Sequence, residues 1–530
     1  MAKKNLLQPS SNSDVPNDVV VTDKPRKPQF DSTLGIPVSL QSTPGTPPNR
    51  LVTIGDSLTH GFQSGAIYNT RLSWPMLVAY ELGCESTFRY PRYDAFGGLP
   101  LNIEYILRAL EHKFGSEINF FELPFAAFEL RHVMAEIEDY WERGAGANPP
   151  KCASVMHNLA VYGWDIRDVL SRTPLNLQAS IKTPKDDVFK QIVENANERA
   201  ALRVYAGLND GETVIDAARR LGEEGGSATI PGIETLVVFI GANNVLGAVT
   251  SLEVKWSDTG FDQLKKKDAY NVWRPTHFAS EFKILAQEIQ KIRAKHVIFM
   301  TVPHVTIAPI ARGVGKKVRP GSRYFPYYTR PWINDDQFNP HDDPHLDENQ
   351  ARAVDSAIDQ YNETIAAEVS NARKSNLDWH LLDIAGLMDR LASRRYLLDA
   401  AARPEWWTPY ELPAELNALT PKPDSRFFAS GPGGRVQGGL FSLDGIHPTT
   451  IGYGIIAQEL IRIMSKCGVK FMYNNGRTER TDEIRIDFNR LIKLDSLISA
   501  PPKSLSSDIG LIGWMDEIAD IFGKLNPFGK

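Results

Sequence analysis

The feature that most constrains this chain is an alternation of short β-branched apolar runs with longer segments of helical periodicity. The runs fall at 51–54, 236–240, 297–301 and 381–384; the helical stripes fall at 74–82, 212–221, 278–294, 348–369 and 451–464. A strand that is apolar throughout is buried on both faces, and a helix between strands returns the chain for parallel pairing. The pattern predicts an α/β fold with a mostly parallel sheet covered by helices on both sides. Asp347 with Gln350 predicts a capping box at the start of the helix over 348–369.

Short polar words close several of these runs. Gly55-Asp56-Ser57-Leu58 follows the first run and Gly241-Ala242-Asn243-Asn244 follows the second. Thr301-Val302-Pro303 ends the third, Asn158 to Gly163 lies between the first two, and Asp444-Gly445-Ile446-His447-Pro448 precedes the last helix. Ligands and substrates of open α/β sheets sit beyond the carboxyl ends of the strands, where Ser57 and Asn243 both fall. A serine hydroxyl is a poor nucleophile until an adjacent base accepts its proton, and His447 is the candidate base. A carboxylate that fixes the histidine tautomer and stabilises the imidazolium completes the unit, and Asp444 lies close enough to share one turn. The oxyanion formed at the attacked carbonyl needs donors already in place. Ser57 N–H, Gly163 N–H and the Asn243 side-chain amide are the candidates.

These words resemble the sequence blocks of the GDSL, or SGNH, hydrolase superfamily, whose second name spells its catalytic Ser, Gly, Asn and His. The longest match is Gly438-Gly-Leu-Phe-Ser-Leu-Asp444-Gly-Ile-His447-Pro-Thr-Thr-Ile-Gly452, and Tyr361-Asn362 and Pro303 with Pro309 echo further blocks. The resemblance implies a three-layer α/β/α sandwich and a metal-independent serine esterase without a cofactor. In it Ser57 is nucleophile, His447 base, Asp444 its orienter, and Gly163 and Asn243 oxyanion donors. Gly163 is preferred to Gly97-Gly98 because Asn158-Leu-Ala-Val-Tyr-Gly163 is similar to the family's Asn-x-Ala-x-x-Gly pattern. One departure stands out: the third block usually ends in Asp, and here Asn244 holds that place. The Gly-Leu-Phe-Ser-Leu-Asp stretch is more similar to the lipase and phospholipase branch than to the short acetylesterases, so a carboxylic or lipid ester is the expected substrate. A carbohydrate O-acetylesterase and an acyltransferase would use the same triad, and a non-catalytic scaffold is the reading from another class.

The chain is 530 residues long, much more than such a unit requires. A hydrolase domain over 50–468 is expected to carry insertions near 63–151, 170–231, 311–345 and 390–437 that form a cap over the cleft. Aromatics such as Tyr324, Phe325, Tyr327, Tyr328, Trp332, Trp406, Trp407 and Tyr410 could line that cap or simply pack it together. Residues 1–49, dense in Pro, Ser, Asp and Thr, read as a mobile tail. Residues 469–530 read as an appendage in which 484–488 alternates like an edge strand. Within it, 507–524 has amphipathic spacing, suited to docking on the body or to peripheral contact with a membrane or partner.

With 59 basic and 64 acidic residues the chain offers no basic footprint for nucleic acid. Three scattered cysteines suit a reducing compartment, and no secretory signal or membrane-spanning run is visible, so a cytoplasmic enzyme is expected. The rival chemistry lies in Asp335-Asp336 and His341 to Glu348, where clustered His and carboxylates could hold a hydrolytic metal without regular ligand spacing. His60 is expected as a cleft or helix-surface residue rather than a second base.

Overall fold

The computed structural model describes residues 14–39, 45–93, 95–116, 118–119, 121–184, 192–227, 229–473 and 476–503. The segment 507–524, expected to be amphipathic, lies outside them.

Four parallel strands form the central sheet: β1 (Asn49–Gly55), β2 (Ile233–Phe239), β3 (Ala294–Met300) and β4 (Trp379–Leu382), in that spatial order. Beyond β1 the chain at 157–161 joins as a further parallel edge. Thr53 N donates to His157 O (2.9 Å), Leu159 N to Thr53 O (2.8 Å) and Val161 N to Gly55 O (3.1 Å). Taken in chain order, the five segments lie 2-1-3-4-5. The order reverses between β1 and β2, so the switch point at which open α/β sheets bind ligands lies beyond Gly55 and Phe239.

The apolar runs alternate between two hydrophobic cores. Val52, Ile54, Leu236, Val238, Val297 and Phe299 point into one core with α3 (Val214–Glu223), α4 (Pro275–Gln290) and α5 (Glu348–Lys374). Leu51, Val237, Phe239, Ile298 and Met300 point into the other with α2 (Trp74–Glu81) and α6 (Thr450–Lys466). A strand with two dry faces needs this near-continuous apolar pattern rather than strict alternation. The capping box at α5 is present in both halves: Asp347 Oδ1 accepts from Gln350 N (2.8 Å) and Gln350 Oε1 from Asp347 N (3.0 Å).

The segment expected as a mobile tail differs. Residues 14–39 run over the body, held largely by polar contacts that composition does not reveal. Val20 N donates to Gln360 Oε1 (2.9 Å), Arg274 pairs with Asp18 (2.9 Å), Arg26 pairs with Asp383 (2.9 Å) and Leu381 N donates to Ser32 O (2.9 Å). The edge strand expected at 484–488 is also absent. Ile486 is buried and its N–H goes to the Gln458 side chain (2.8 Å), so its apolar neighbours anchor an irregular segment against α6 before a helix begins at Phe488.

The region 63–151 opens with a small sheet (Phe62–Gln63, Ala66–Ile67, Leu99–Pro100) and continues into helices Ile103–Phe114 and Leu123–Glu142. Region 311–345 contributes strands Arg312–Gly313 and Tyr327–Thr329, and 390–437 the hairpin Ala429–Gly431 with Gly434–Gln437. Among the described residues no helix is long and apolar enough to cross a membrane.

Candidate active site

The first word is shaped by packing. A Cβ on Gly55 would lie 2.5 Å from Phe239 O and 2.4 Å from Thr59 Oγ1, so only glycine lets β1 reach its turn beside β2. Asp56 then caps α1 (Ser57–His60), its Oδ1 accepting from Leu58 N (3.0 Å), and Ser57 becomes the first helical residue at the strand's carboxyl end. Burial pushes the Asp56 carboxyl up to about 7, against the pull of the Leu58 N–H and the nearby His447.

Ser57, His447 and Asp444 come together from opposite ends of the chain. His447 Nε2 lies 2.8 Å from Ser57 Oγ, and His447 Nδ1 lies 2.9 Å from Asp444 Oδ2. An ionised carboxylate only accepts, so Nδ1 carries the ring proton and Nε2 is left to accept from the serine hydroxyl. Asp444 is fully buried, yet its charge is well supported. Oδ1 accepts from Ile446 N (2.9 Å) and His447 N (2.8 Å), and Oδ2 also accepts from Gly65 N (3.0 Å). Burial raises its pKa, but His447 and these N–H groups outweigh burial and hold the carboxyl below its ordinary value. The Phe62 ring packs on the imidazole with centroids 4.6 Å apart, and Tyr453 Oη ties Phe62 O in place (2.7 Å). Ser57 and His447 keep 5% and 6% exposure while Asp444 keeps none, so the carboxylate stands behind the hydroxyl and the imidazole.

The two further candidate donors, Gly163 and Asn243, come close together in the fold. Asn243 Nδ2 donates to Trp164 O (2.8 Å), next in chain to Gly163, whose φ of 73° lies in the left-handed region favoured by glycine. That bond uses one of the two amide hydrogens and fixes the orientation of the amide. Gly241, at φ 124°, makes the turn that brings Asn243 round, and a Cβ there would strike Val302 at 2.8 Å. Asn244, where the resembled family usually has Asp, is fully buried with neither amide atom hydrogen-bonded. A carboxylate in that position would be a buried charge without a partner; the neutral amide costs less.

Three supports were not visible in the sequence. Gly65 reaches Asp444 through the first hairpin of the 63–151 region, and Ser442 Oγ holds that hairpin by accepting from Ser64 N (2.9 Å). Lys267, buried against Asp168 and 3.5 Å from Asp165, approaches Gly163 O at 3.5 Å and so braces the glycine turn. Gly65-Asp444 and Lys267-Gly163 are long-range pairs with no local spacing signal.

His60 lies deeper than expected. It is fully buried, Nδ1 accepts from Tyr162 N (3.1 Å) and Nε2 contacts Tyr93 Oη (3.0 Å). Burial pushes its pKa down to about 3, so it is a neutral structural group. In the acidic histidine loop, Asp335 pairs with Arg312, Asp343 accepts from Asn339 N (2.7 Å), His345 Nδ1 contacts Asp343 O (2.9 Å) and Asp347 caps α5. Among the described residues, the group with metal-ligand proximity lies elsewhere: His296, Asp378 and Cys467. Compared with known proteins, the chain matches no family model and no curated sequence.

Proposed function

We propose that this chain is a serine hydrolase that cleaves carboxylic esters through an acyl-enzyme on Ser57. The observation that carries the reading is the unbroken hydrogen-bonded line Ser57–His447–Asp444, with Nδ1 committed to the acid and Nε2 to the nucleophile. As Ser57 Oγ bonds to the ester carbonyl carbon, its proton passes to His447 Nε2. The carbonyl oxygen becomes an oxyanion facing Ser57 N–H, Gly163 N–H and the second Asn243 amide hydrogen. Collapse breaks the carbon–oxygen bond to the alcohol, which leaves with the proton from His447. Water then repeats the cycle on the acyl-enzyme: His447 takes its proton, the acid is released and Ser57 regains its hydrogen. Asp444 stays ionised throughout and steadies the imidazolium.

The 2-1-3-4-5 order and the two cores accord with the three-layer sandwich of the SGNH hydrolases, and that is the fold family proposed. The substrate class proposed is a carboxylic ester of the lipid type, on the similarity of the block ending at His447. No step needs a metal. The test is hydrolysis of p-nitrophenyl esters from acetate to palmitate by the intact chain and by Ser57→Ala, with and without a chelator. Activity that vanishes in the variant and ignores the chelator is expected; chelator-sensitive activity surviving Ser57→Ala would overturn the mechanism.

A further inference from the structure

A cavity of about 990 Å³ lies between the 311–345 and 390–437 regions, and neither the triad nor the oxyanion donors line it. Its size is within the range of sites for small organic ligands. Its lining carries seven Lys and Arg side chains against one carboxylate, Asp399. Four of the cations are neutralised: Arg312 by Asp335, Lys317 by Asp399, Arg426 by Asp424, and Arg395 by Asp355 and Asp389.

Lys316, Arg394 and Arg323 have no ion-pair partner among the described residues. Arg394 gives one N–H to Gly313 O (2.8 Å) and lies over the Phe325 ring at 5.3 Å. Arg323 is buried with all three guanidinium nitrogens lacking hydrogen bonds, resting over the Tyr324 ring at 5.0 Å. The carboxylate nearest in effect, Asp355, is already shared with Arg395 and His304. Because the Arg323 nitrogens lie beneath the wall, it supplies positive charge at depth while Lys316 and Arg394, both exposed, supply donors at the surface. The rest of the wall includes the half-buried rings of Trp332 and Phe427, 6.5 Å apart. Unmatched cations collected around one concave space attract an oxyanion, and a phosphate monoester of charge about −2 matches two surface cations over a buried third.

We propose that this cavity binds a small phosphate-bearing molecule, its oxyanion held by Lys316 and Arg394 above Arg323 and its apolar part set against Trp332 and Phe427. The site adjoins the triad without belonging to it: Ile310 N donates to Gly445 O (3.0 Å) and the Phe427 ring packs on Gly445, between Asp444 and His447. It is independent of the esterase reading and is tested without hydrolysis.

The experiment is calorimetric titration and thermal unfolding of the full chain with phenyl phosphate, inorganic phosphate and phenol at matched ionic strength. Saturable binding of phenyl phosphate, weaker binding of inorganic phosphate and none of phenol are expected. Lys316→Ala with Arg394→Ala should weaken phenyl phosphate by about tenfold or more. Arg323→Met should also weaken it, because it removes the positive charge beneath the site. Should Arg323→Met fail to fold, the double surface variant decides alone. No saturable binding up to about 10 mM, or affinity unchanged in the double variant, would overturn the proposal. Binding to phosphatidylcholine vesicles containing phosphatidic acid, but not to phenyl phosphate, would also overturn it, by assigning the anion site to a lipid headgroup.

Discussion

Two Ser–His–Asp lines lie at opposite ends of the same sheet. At the carboxyl ends of the strands stands Ser57–His447–Asp444. At the amino end of β4, Ser32 Oγ lies 3.3 Å from His380 Nδ1 and His380 Nε2 lies 2.9 Å from Asp378 Oδ1. The residue types are the same and the surroundings differ. Asp444 takes one imidazole, with three peptide N–H groups supporting its charge. Asp378 is divided between His296 (2.5 Å), His380 and Arg373 (3.4 Å), and the Cys467 thiol also contacts His380 Nε2 at 3.2 Å. Ser57 heads a short helix beside a glycine turn and an oriented amide, whereas Ser32 is bonded into the sheet edge through its own carbonyl. The contrast frames the proposed function: catalysis is assigned to the line whose acid serves one imidazole, whose base is committed to one serine, and which has candidate donors for an oxyanion beside it.

The largest effect that can break this comparison is removal of the nucleophile. Ser57→Ala or His447→Ala should cost about 10⁴–10⁶-fold in kcat for p-nitrophenyl esters. Ser32→Ala and His380→Ala should leave kcat/KM nearly unchanged; a comparable loss from either pair would erase the distinction. Next, Asp444→Asn should lower kcat by about 10³–10⁴-fold through loss of the correct tautomer while the protein stays folded. Asp378→Asn should do the reverse, costing about 3 kcal/mol in urea unfolding with kcat retained, since it breaks a buried charge cluster.

A finer contrast separates the neighbouring amides after β2. Asn243→Ala should reduce kcat by about 10²–10³-fold with little change in KM, as expected of a donor used in the transition state. Asn244→Ala, which removes a buried amide without hydrogen bonds, should change kcat by less than about threefold. Equal losses would mean that the second Asn243 hydrogen does not face the reacting carbonyl.

A further contrast is a pH dependence of stability. Asp56, raised from 3.8 to about 7, holds a proton that the unfolded chain releases between these values. The Asp56 contribution to stability therefore falls as pH rises from about 4 to about 7 and levels above that. Asp444 runs the other way: its folded pKa is lowered, so its contribution is complete above the unfolded value and is lost as pH falls toward and through the folded one. Urea midpoints measured from pH 4 to 8 should fall less steeply in Asp56→Asn, which keeps the capping acceptor, while Asp495, also raised to about 7 by burial, keeps its own contribution. An unchanged slope would show that Asp56 is ionised in the folded protein.

The central strands were legible because residues buried on both faces leave a continuous apolar record: 236–240 against Ile233–Phe239, and 297–301 against Ala294–Met300. The helix expected at 451–464 is Thr450–Lys466, and the Asp347–Gln350 box is present because capping is a local chemistry of fixed spacing. The pairing of Asp444 with His447 was legible for the same reason, since three residues of chain carry it. What escaped is nonlocal. The edge at 157–161 pairs with β1 through its backbone, Gly65 reaches Asp444 across 379 residues, and residues 14–39 are anchored by polar side chains whose partners lie hundreds of residues away. The sequence of 311–345 and 390–437 marked aromatic-rich insertions. Only their packing shows that Phe325, Tyr328 and Trp332 border a cavity crowded with cations, while Trp407 packs on Tyr396 (5.8 Å).

The most direct test of the central claim is mass spectrometry of the folded full chain after exposure to a fluorophosphonate. One adduct per chain on Ser57, absent in His447→Ala and with Ser32 unmodified, is the predicted result. A folded protein that takes no label, or one labelled on Ser32 instead, would contradict the assignment of Ser57 as the activated nucleophile.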